Sequence, residues 1–505
     1  MPVRCERLDG GRARNPSTIL ICAIVIVTSL LAVPRATGQS SRDVIIQISP
    51  SAAPDAIAEL RGQAGVERIR RVPTLGSEVW RVPTQRASET LVRATRTPGV
   101  GGADYAGSDY RSLFLRVAPG TLSPAQSAAL AAVQDSGLSD VRVVRLRAGD
   151  LGARMLLNGF DEVDGLPNGS VLLELDGGAP AVVTRDEVTL EDDRHFQWSG
   201  ELTMAGASPR AGRAAFSVEG ENILGLISSG TEEYSVRPIG GGLHAIGRIN
   251  RADFPPDHPP ASVDDAAEAG DPMPFSMLQS QSTGSPAIAV SVAYTARAAA
   301  GIRLRYGVEP EHLIRHAVHL TNQSLDFSQV GTRVQLSGVQ ETAGTESGDF
   351  VADVNSLVAP ADGRFDELPV WRRHLRANAV ILLVGMDGAC GQASRVFPPA
   401  RATYALVNYA CAVDNKSFAH ELGHLLGMRH DPDADASNHP FPYGHGYRHP
   451  NMFRTIMAEG TEMRLWAWSN PNIRWQGVPM GTTDRHHDAR AISEMAPIFS
   501  GYFGE

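Results

Sequence analysis

The sequence predicts an α/β (α+β) C-terminal domain with a mixed twisted sheet and one histidine-bearing helix. A small βαββαβ module and a β-rich region precede it. Three observations predict this. Residues 43–105 switch between strand and helix periodicity in the order β-α-β-β-α-β. Residues 112–252 hold short apolar runs such as SVLLEL, AAFSVEG and NILGLIS between Gly, Asp and Ser turns. From residue 287 strands alternate with amphipathic helices, and ANAVILLVGM is a nearly continuous apolar run suited to a buried central strand. The chain has 505 residues, 42% hydrophobic and 20% charged, enough for several folded domains. Its formal net charge of −10 argues against a general nucleic-acid binder, which would carry a basic stripe.

The first 38 residues read as a signal peptide. Arg4, Arg7, Arg12 and Arg14 precede the apolar run 19–33, and Ala36 and Gly38 form a small-x-small cleavage pattern. The run is short of the roughly 20 residues a bilayer span needs. An uncleaved signal anchor is the other reading. Export to the extracellular space or periplasm follows, with no membrane span left after cleavage. Cysteine usage agrees: Cys390 and Cys411 alone remain in the mature chain, read as one disulfide, with two buried thiols as the alternative.

Residues 39–110 are expected to form the small α+β module. Its pattern is similar to the inhibitory pro-domains of subtilisin-type proteases; a generic α+β module is the other reading. Residues 111–253 are the β-rich region, with one helix at SPAQSAALAAVQDSG. Residues 254–284, rich in Pro, Asp, Ser and Ala, read as an exposed linker with a processing site. The domain 285–505 follows.

Within it, FAHELGHLLGMRHD places His420, Glu421, His424, Gly427 and His430 at fixed offsets. Residues four apart share a helix face, so His420 and His424 present imidazoles to one point, with Glu421 beside them. A continued helix would carry His430 about 15 Å from His420. Three nitrogens can converge on one metal only if the helix stops and the chain turns back. Gly427 permits the left-handed turn this requires.

The motif H-E-x-x-H-x-x-G-x-x-H is the metzincin signature. Asp431 after the third histidine resembles the reprolysin (adamalysin-type) branch. RTIMA places Met457 where a Met-turn lies, and the flanks VAYTARAA, HLTNQSL, GACGQA, YACAV and WSNPNIRWQG resemble bacterial reprolysin-like enzymes over about 285–505. FQWSGEL and the stretch to GRI resemble the pro-regions ahead of some bacterial metalloproteases. The resemblance implies a secreted zinc endopeptidase made as a zymogen. His420, His424 and His430 would hold one Zn2+, Glu421 would be the general base, and Met457 would form an apolar floor under the ligands. It also implies that Cys390 and Cys411 pair.

Other candidates weigh less. DPDADASN begins like a calcium loop, but Ala436 stands where Gly is needed and Pro442 where the closing Glu belongs, so it reads as a solvated acidic loop and Ca2+ lacks support. His312, His316 and His319 share a helix face without Glu or Cys and read as packed or solvated. His445 and His449 read as cleft-lining or structural. Glu459 occupies the position where some metzincins place a tyrosine ligand, so no tyrosine switch is expected. No cysteine lies in 39–389, so a cysteine latch is excluded. Asp257 and His258 could cap a metal, but read as incidental charges of a linker; steric blockade by the pro-region is the simpler source of latency. Expected partners are a protein or peptide substrate and the chain's own pro-region as inhibitor, with a monomeric state. The rivals are a zinc-binding adhesion or inhibitor module without turnover, and a narrow-specificity toxin or processing peptidase.

Overall fold

A computed structural model describes residues 41–48, 52–72, 77–98, 100–106, 113–117, 122–146, 156, 170–175, 181–192, 194–203, 212–258, 286–359 and 361–503. The expected signal peptide and most of the expected linker lie outside the described residues. Among those described, no helix is long and apolar enough to cross a membrane.

The chain opens with β1 (Ser41–Ile48), α1 (Pro54–Ala64), β2 (Arg68–Val72), β3 (Ser77–Pro83), α2 (Thr84–Arg96) and β4 (Val100–Ala106). The strands form an antiparallel sheet in the order β2-β3-β1-β4. Val44, Ile46, Trp80 and Val82 of the sheet bury against Ile57, Leu60, Ala87 and Ala94 of the helices. Gly65 closes α1 at φ 65°, donating its amide to the carbonyls of the last turn.

A nine-stranded sheet follows. Its strands are β5 (Phe114–Arg116), β6 (Leu138–Leu146), β7 (Ser170–Leu173), β8 (Ala181–Leu190), β9 (His195–Thr203), β10 (Gly212–Glu219), β11 (Asn222–Ser229), β12 (Glu232–Gly240) and β13 (Leu243–Ile249). The order is β5-β6-β13-β12-β11-β10-β9-β8-β7. The helix α3 (Pro124–Gln134) starts on a capping box between Ser123 and Gln126. The central strands are buried on both faces, which is why NILGLIS reads as a continuous apolar run and not an alternating one. Phe216, Val218, Ile223 and Ile227 pack on one side, while Ala215, Leu224 and Leu226 join the core of the C-terminal region on the other.

That region holds β14 (Ala287–Tyr294), α4 (Ala296–Tyr306), α5 (Pro310–Phe327), β15 (Arg333–Glu341), α6 (Phe350–Val358), α7 (Glu367–Leu375), β16 (Ala379–Val384), β17 (Gly391–Ala393), β18 (Tyr404–Asn408), α8 (Tyr409–Ala412), α9 (Ser417–Leu425) and α10 (Asp488–Phe499). Its sheet order is β15-β14-β16-β18-β17. The first four strands are parallel and the edge strand β17 is antiparallel. β16 is buried along its whole length, as its sequence predicts. A disulfide joins Cys390, beside β17, to Cys411 in α8, with Cα atoms 5.4 Å apart.

The β-rich sheet and the C-terminal region share one apolar core, and α5 lies across β9 to β11. Here the histidine stripe is packed. His312 donates Nε2–H to the Ser217 carbonyl at 2.9 Å, and His319 donates to the Trp198 carbonyl at 3.2 Å. Burial pushes both imidazoles down to about 4. They stay neutral where an unfolded histidine takes up a proton. Stability is therefore fully present above about pH 6.5 and falls as pH drops toward 4, by up to about 1.4 kcal/mol per unit per group. Thermal unfolding at pH 7 and pH 5 should show a lower Tm at pH 5. Replacing both residues, His312→Gln with His319→Gln, should reduce the difference, leaving the part owed to other buried histidines such as His316 and His244; an equally steep dependence in the double variant would contradict the assignment.

Two buried ion pairs reinforce this contact. Arg237 of β12 reaches Asp414, and Glu233 of the same strand reaches Lys416 Nζ at 2.9 Å. Both partners lie in the short loop that feeds α9, so the β-rich sheet grips the approach to the candidate site.

Candidate metal centre

Lys416, in the left-handed conformation, starts α9, and every side chain from Ser417 to Leu425 is buried. The helix ends at Leu425. Gly427 takes φ 93°, its amide returns to the His424 carbonyl at 2.9 Å, and Met428 N bonds the Gly423 carbonyl at 2.9 Å. The chain then turns back and brings His430 to His420 and His424. Any residue with a Cβ at 427 would be strained and would press on Pro440 at 2.8 Å.

The three expected nitrogens converge, and a fourth joins them. Nε2 of His420, His424 and His430 lie 3.1–3.3 Å apart. Nε2 of His258 stands 3.1, 3.1 and 3.0 Å from the same three atoms. The six separations are nearly equal, so the four nitrogens mark the corners of a tetrahedron. Four ligands at the zinc–nitrogen bond length of about 2.0–2.1 Å would be about 3.3–3.4 Å apart.

Tautomer logic agrees. Nδ1 of His420 bonds the Ile456 carbonyl, and Nδ1 of His424 the Met428 carbonyl, both at 2.9 Å. Carbonyls only accept, so Nδ1 carries the proton and Nε2 presents a lone pair. His430 Nδ1 faces Glu459 Oε1 at 3.0 Å. Burial holds all four imidazoles below their ordinary pKa, His424 at about 4 and His258 at about 3. Buried, neutral lone pairs aimed at one point repel one another unless a cation stands between them, so the residues fit a divalent metal. Among the described residues this is the group of His, Cys, Asp or Glu side chains placed to hold one.

His424→Ala should weaken the metal severely. Because His258 leaves three nitrogens in the full chain, the expected result is a metal that a chelator removes quickly, measured by metal content after dialysis. Stoichiometric metal resisting the chelator as in wild type would contradict the ligand set.

Glu421 is fully buried, and neither carboxylate oxygen finds a partner of hydrogen-bond geometry. Its Oε1 is 4.0 Å from His258 Nδ1. Burial, then the charge of Asp257, push its carboxyl well above the usual range. It lies against Gly391, where a Cβ would collide with it. Met457 is buried in the turn 455–458, and its Sδ lies against Gly423 of α9.

The remaining candidates fall into place. Asp431 accepts the Glu459 amide at 2.9 Å, and Asp435 pairs with Arg429 at 2.7 Å, so the acidic loop uses these carboxylates on its own chain. His445 donates Nδ1–H to the His430 carbonyl at 2.7 Å, and His449 stacks on Phe453.

The linker reading fails at its first five residues. Residues 254–258 lie along the domain, with Cys390 N donating to Pro256 O at 2.8 Å and Gly391 N to Asp257 O at 3.0 Å. The Asp257 carboxylate meets Arg464, Arg454 Nη1 at 3.4 Å and Asn415 Nδ2 at 3.0 Å. Burial pushes that carboxyl up, but the two guanidinium groups outweigh it and hold it well below the usual range. These charges are not incidental: Asp257 is seated in a basic pocket and His258 at the metal point. Sequence reasoning does not single out Arg464, Arg454 or Asn415, because no spacing rule marks them.

Residues 288–469 match a family model described as metallo-peptidase family M12, reprolysin type. A peptidyl-Asp metalloendopeptidase of Xanthomonas campestris pv. campestris is 33% identical over 334 residues, 63% of this chain and 78% of the relative. The chain belongs to the reprolysin-like metallopeptidases. It is therefore a metalloendopeptidase, and the family implies a metal. A protein of the same name from Stenotrophomonas maltophilia is 35% identical over 283 residues, 54% of this chain and 66% of that relative. One from Pseudomonas fragi is 46% identical over 84 residues, 16% of this chain and 56% of that relative. The Xanthomonas alignment is longer than 285–505, so the similarity reaches into the β-rich part of this reprolysin-like chain.

Proposed function

We propose that the protein is a secreted zinc endopeptidase, made as a zymogen, that hydrolyses peptide bonds next to aspartate. The seat of Asp257 carries this reading: an aspartate side chain held by Arg464, Arg454 and Asn415 beside the metal point. The names of the relatives, peptidyl-Asp metalloendopeptidases, support the same preference.

Zinc, when bound, lends Lewis acidity to the scissile carbonyl and to water. His420, His424 and His430 would hold it, and the carbonyls of Ile456 and Met428 fix two of those rings by their Nδ1 protons. Glu421 takes the proton from the attacking water and returns it to the leaving amine. The edge at Cys390 and Gly391 offers amides that align an extended peptide. Arg464 and Arg454 seat the substrate carboxylate.

The test is a cleavage profile on peptide libraries, with and without chelator, using protein freed of 254–258. Chelator-sensitive cleavage confined mainly to bonds beside Asp is expected. A profile indifferent to Asp would refute the preference, and no cleavage at all would favour a metal-binding module without turnover.

A further inference from the structure

We infer that His258 is a fourth protein ligand to the metal and that Asp257 and His258 together latch the full chain shut. The inference rests on the proposed metal centre and deepens it. A catalytic zinc site keeps three protein ligands and one open position, whereas a site with four is closed. Here the fourth direction belongs to His258 Nε2, 3.0–3.1 Å from each of the other three nitrogens.

The residues around it act as one device. Asp257 fills the basic pocket made by Arg464, Arg454 and Asn415. The backbone of 256–257 takes the amides of Cys390 and Gly391 on the sheet edge. The His258 ring stands 4.0 Å from Glu421. Three consecutive residues, Pro256 to His258, thus cover the metal's open position, the general base, the peptide-aligning edge and the acidic-side-chain pocket. The segment leaves β13 only a few residues upstream, after the turn at Arg251–Asp253. That short tether gives it a high effective concentration at the site. Latency is then a matter of coordination as well as of bulk.

The test uses the full-chain protein loaded with Co2+ in place of zinc, read by visible absorption, metal content and transfer to a chelator. Wild type should hold one Co2+ per chain with a spectrum that azide does not change. His258→Ala should keep the ion on the other three histidines, respond to azide, and lose the metal at least tenfold faster. His258→Cys should add a thiolate-to-cobalt absorption band absent from both. An azide response in wild type equal to that of His258→Ala, or stoichiometric Co2+ in His258→Cys without the thiolate band, overturns the latch and leaves the three-histidine centre standing. Failure of every protein to take the metal overturns the centre and the latch together.

Discussion

Glu421→Gln, in protein freed of 254–258, should lower kcat by about 10²–10⁴-fold while leaving metal content unchanged. The amide has the size of the carboxylate, so the packing against Gly391 survives. Neither carboxylate oxygen has a hydrogen-bond partner to lose, so folding should be nearly unaffected. What disappears is the ability to take a proton. His420, His424 and His430 are untouched, so the metal stays. A kcat within tenfold of wild type would remove Glu421 from the mechanism. Loss of metal in this variant would instead mean that Glu421 supports the ligands.

Arg464→Ala should abolish the proposed preference for aspartate. Truncating one member of a buried charge pair costs about 2–5 kcal/mol, so kcat/KM for an Asp peptide should fall by about 30- to 5,000-fold. The matching Asn peptide should change little, and their ratio is the quantity to measure. Arg464 also donates to the Asn415 carbonyl at 2.9 Å, next to the start of α9. Arg454→Gln, at the outer contact, serves as the second variant and should shift the ratio the same way by less. An unchanged Asp-to-Asn ratio in both variants would place substrate recognition elsewhere.

These residues divide by how visible they are in sequence. His420, His424 and Gly427 follow from helix geometry, and His430 from the need to end the helix; local rules suffice. The buried strand β16 is legible because both its faces are apolar. The strands of the β-rich region are legible one by one. Their union in nine strands, and the core shared through Ala215, Leu224 and Leu226, depend on pairings that no local period encodes. Asp257 and His258 were visible as possible metal caps, yet FPPDHPP has a linker's composition. Their placement is set by contacts more than 130 residues away in sequence. In the sequence Glu459 stands out only as the residue where some metzincins place a tyrosine; the structure places it on His430 Nδ1. Arg454 and Arg464 lie in short irregular strands where a lone arginine carries no signal.

Removing and returning the metal tests the central claim most directly. Protein freed of 254–258 would be dialysed against a chelator, assayed on an Asp peptide, and titrated with Zn2+. Cleavage and zinc should vanish together and return together, reaching full activity at one Zn2+ per chain. Undiminished cleavage by metal-free protein would contradict the account.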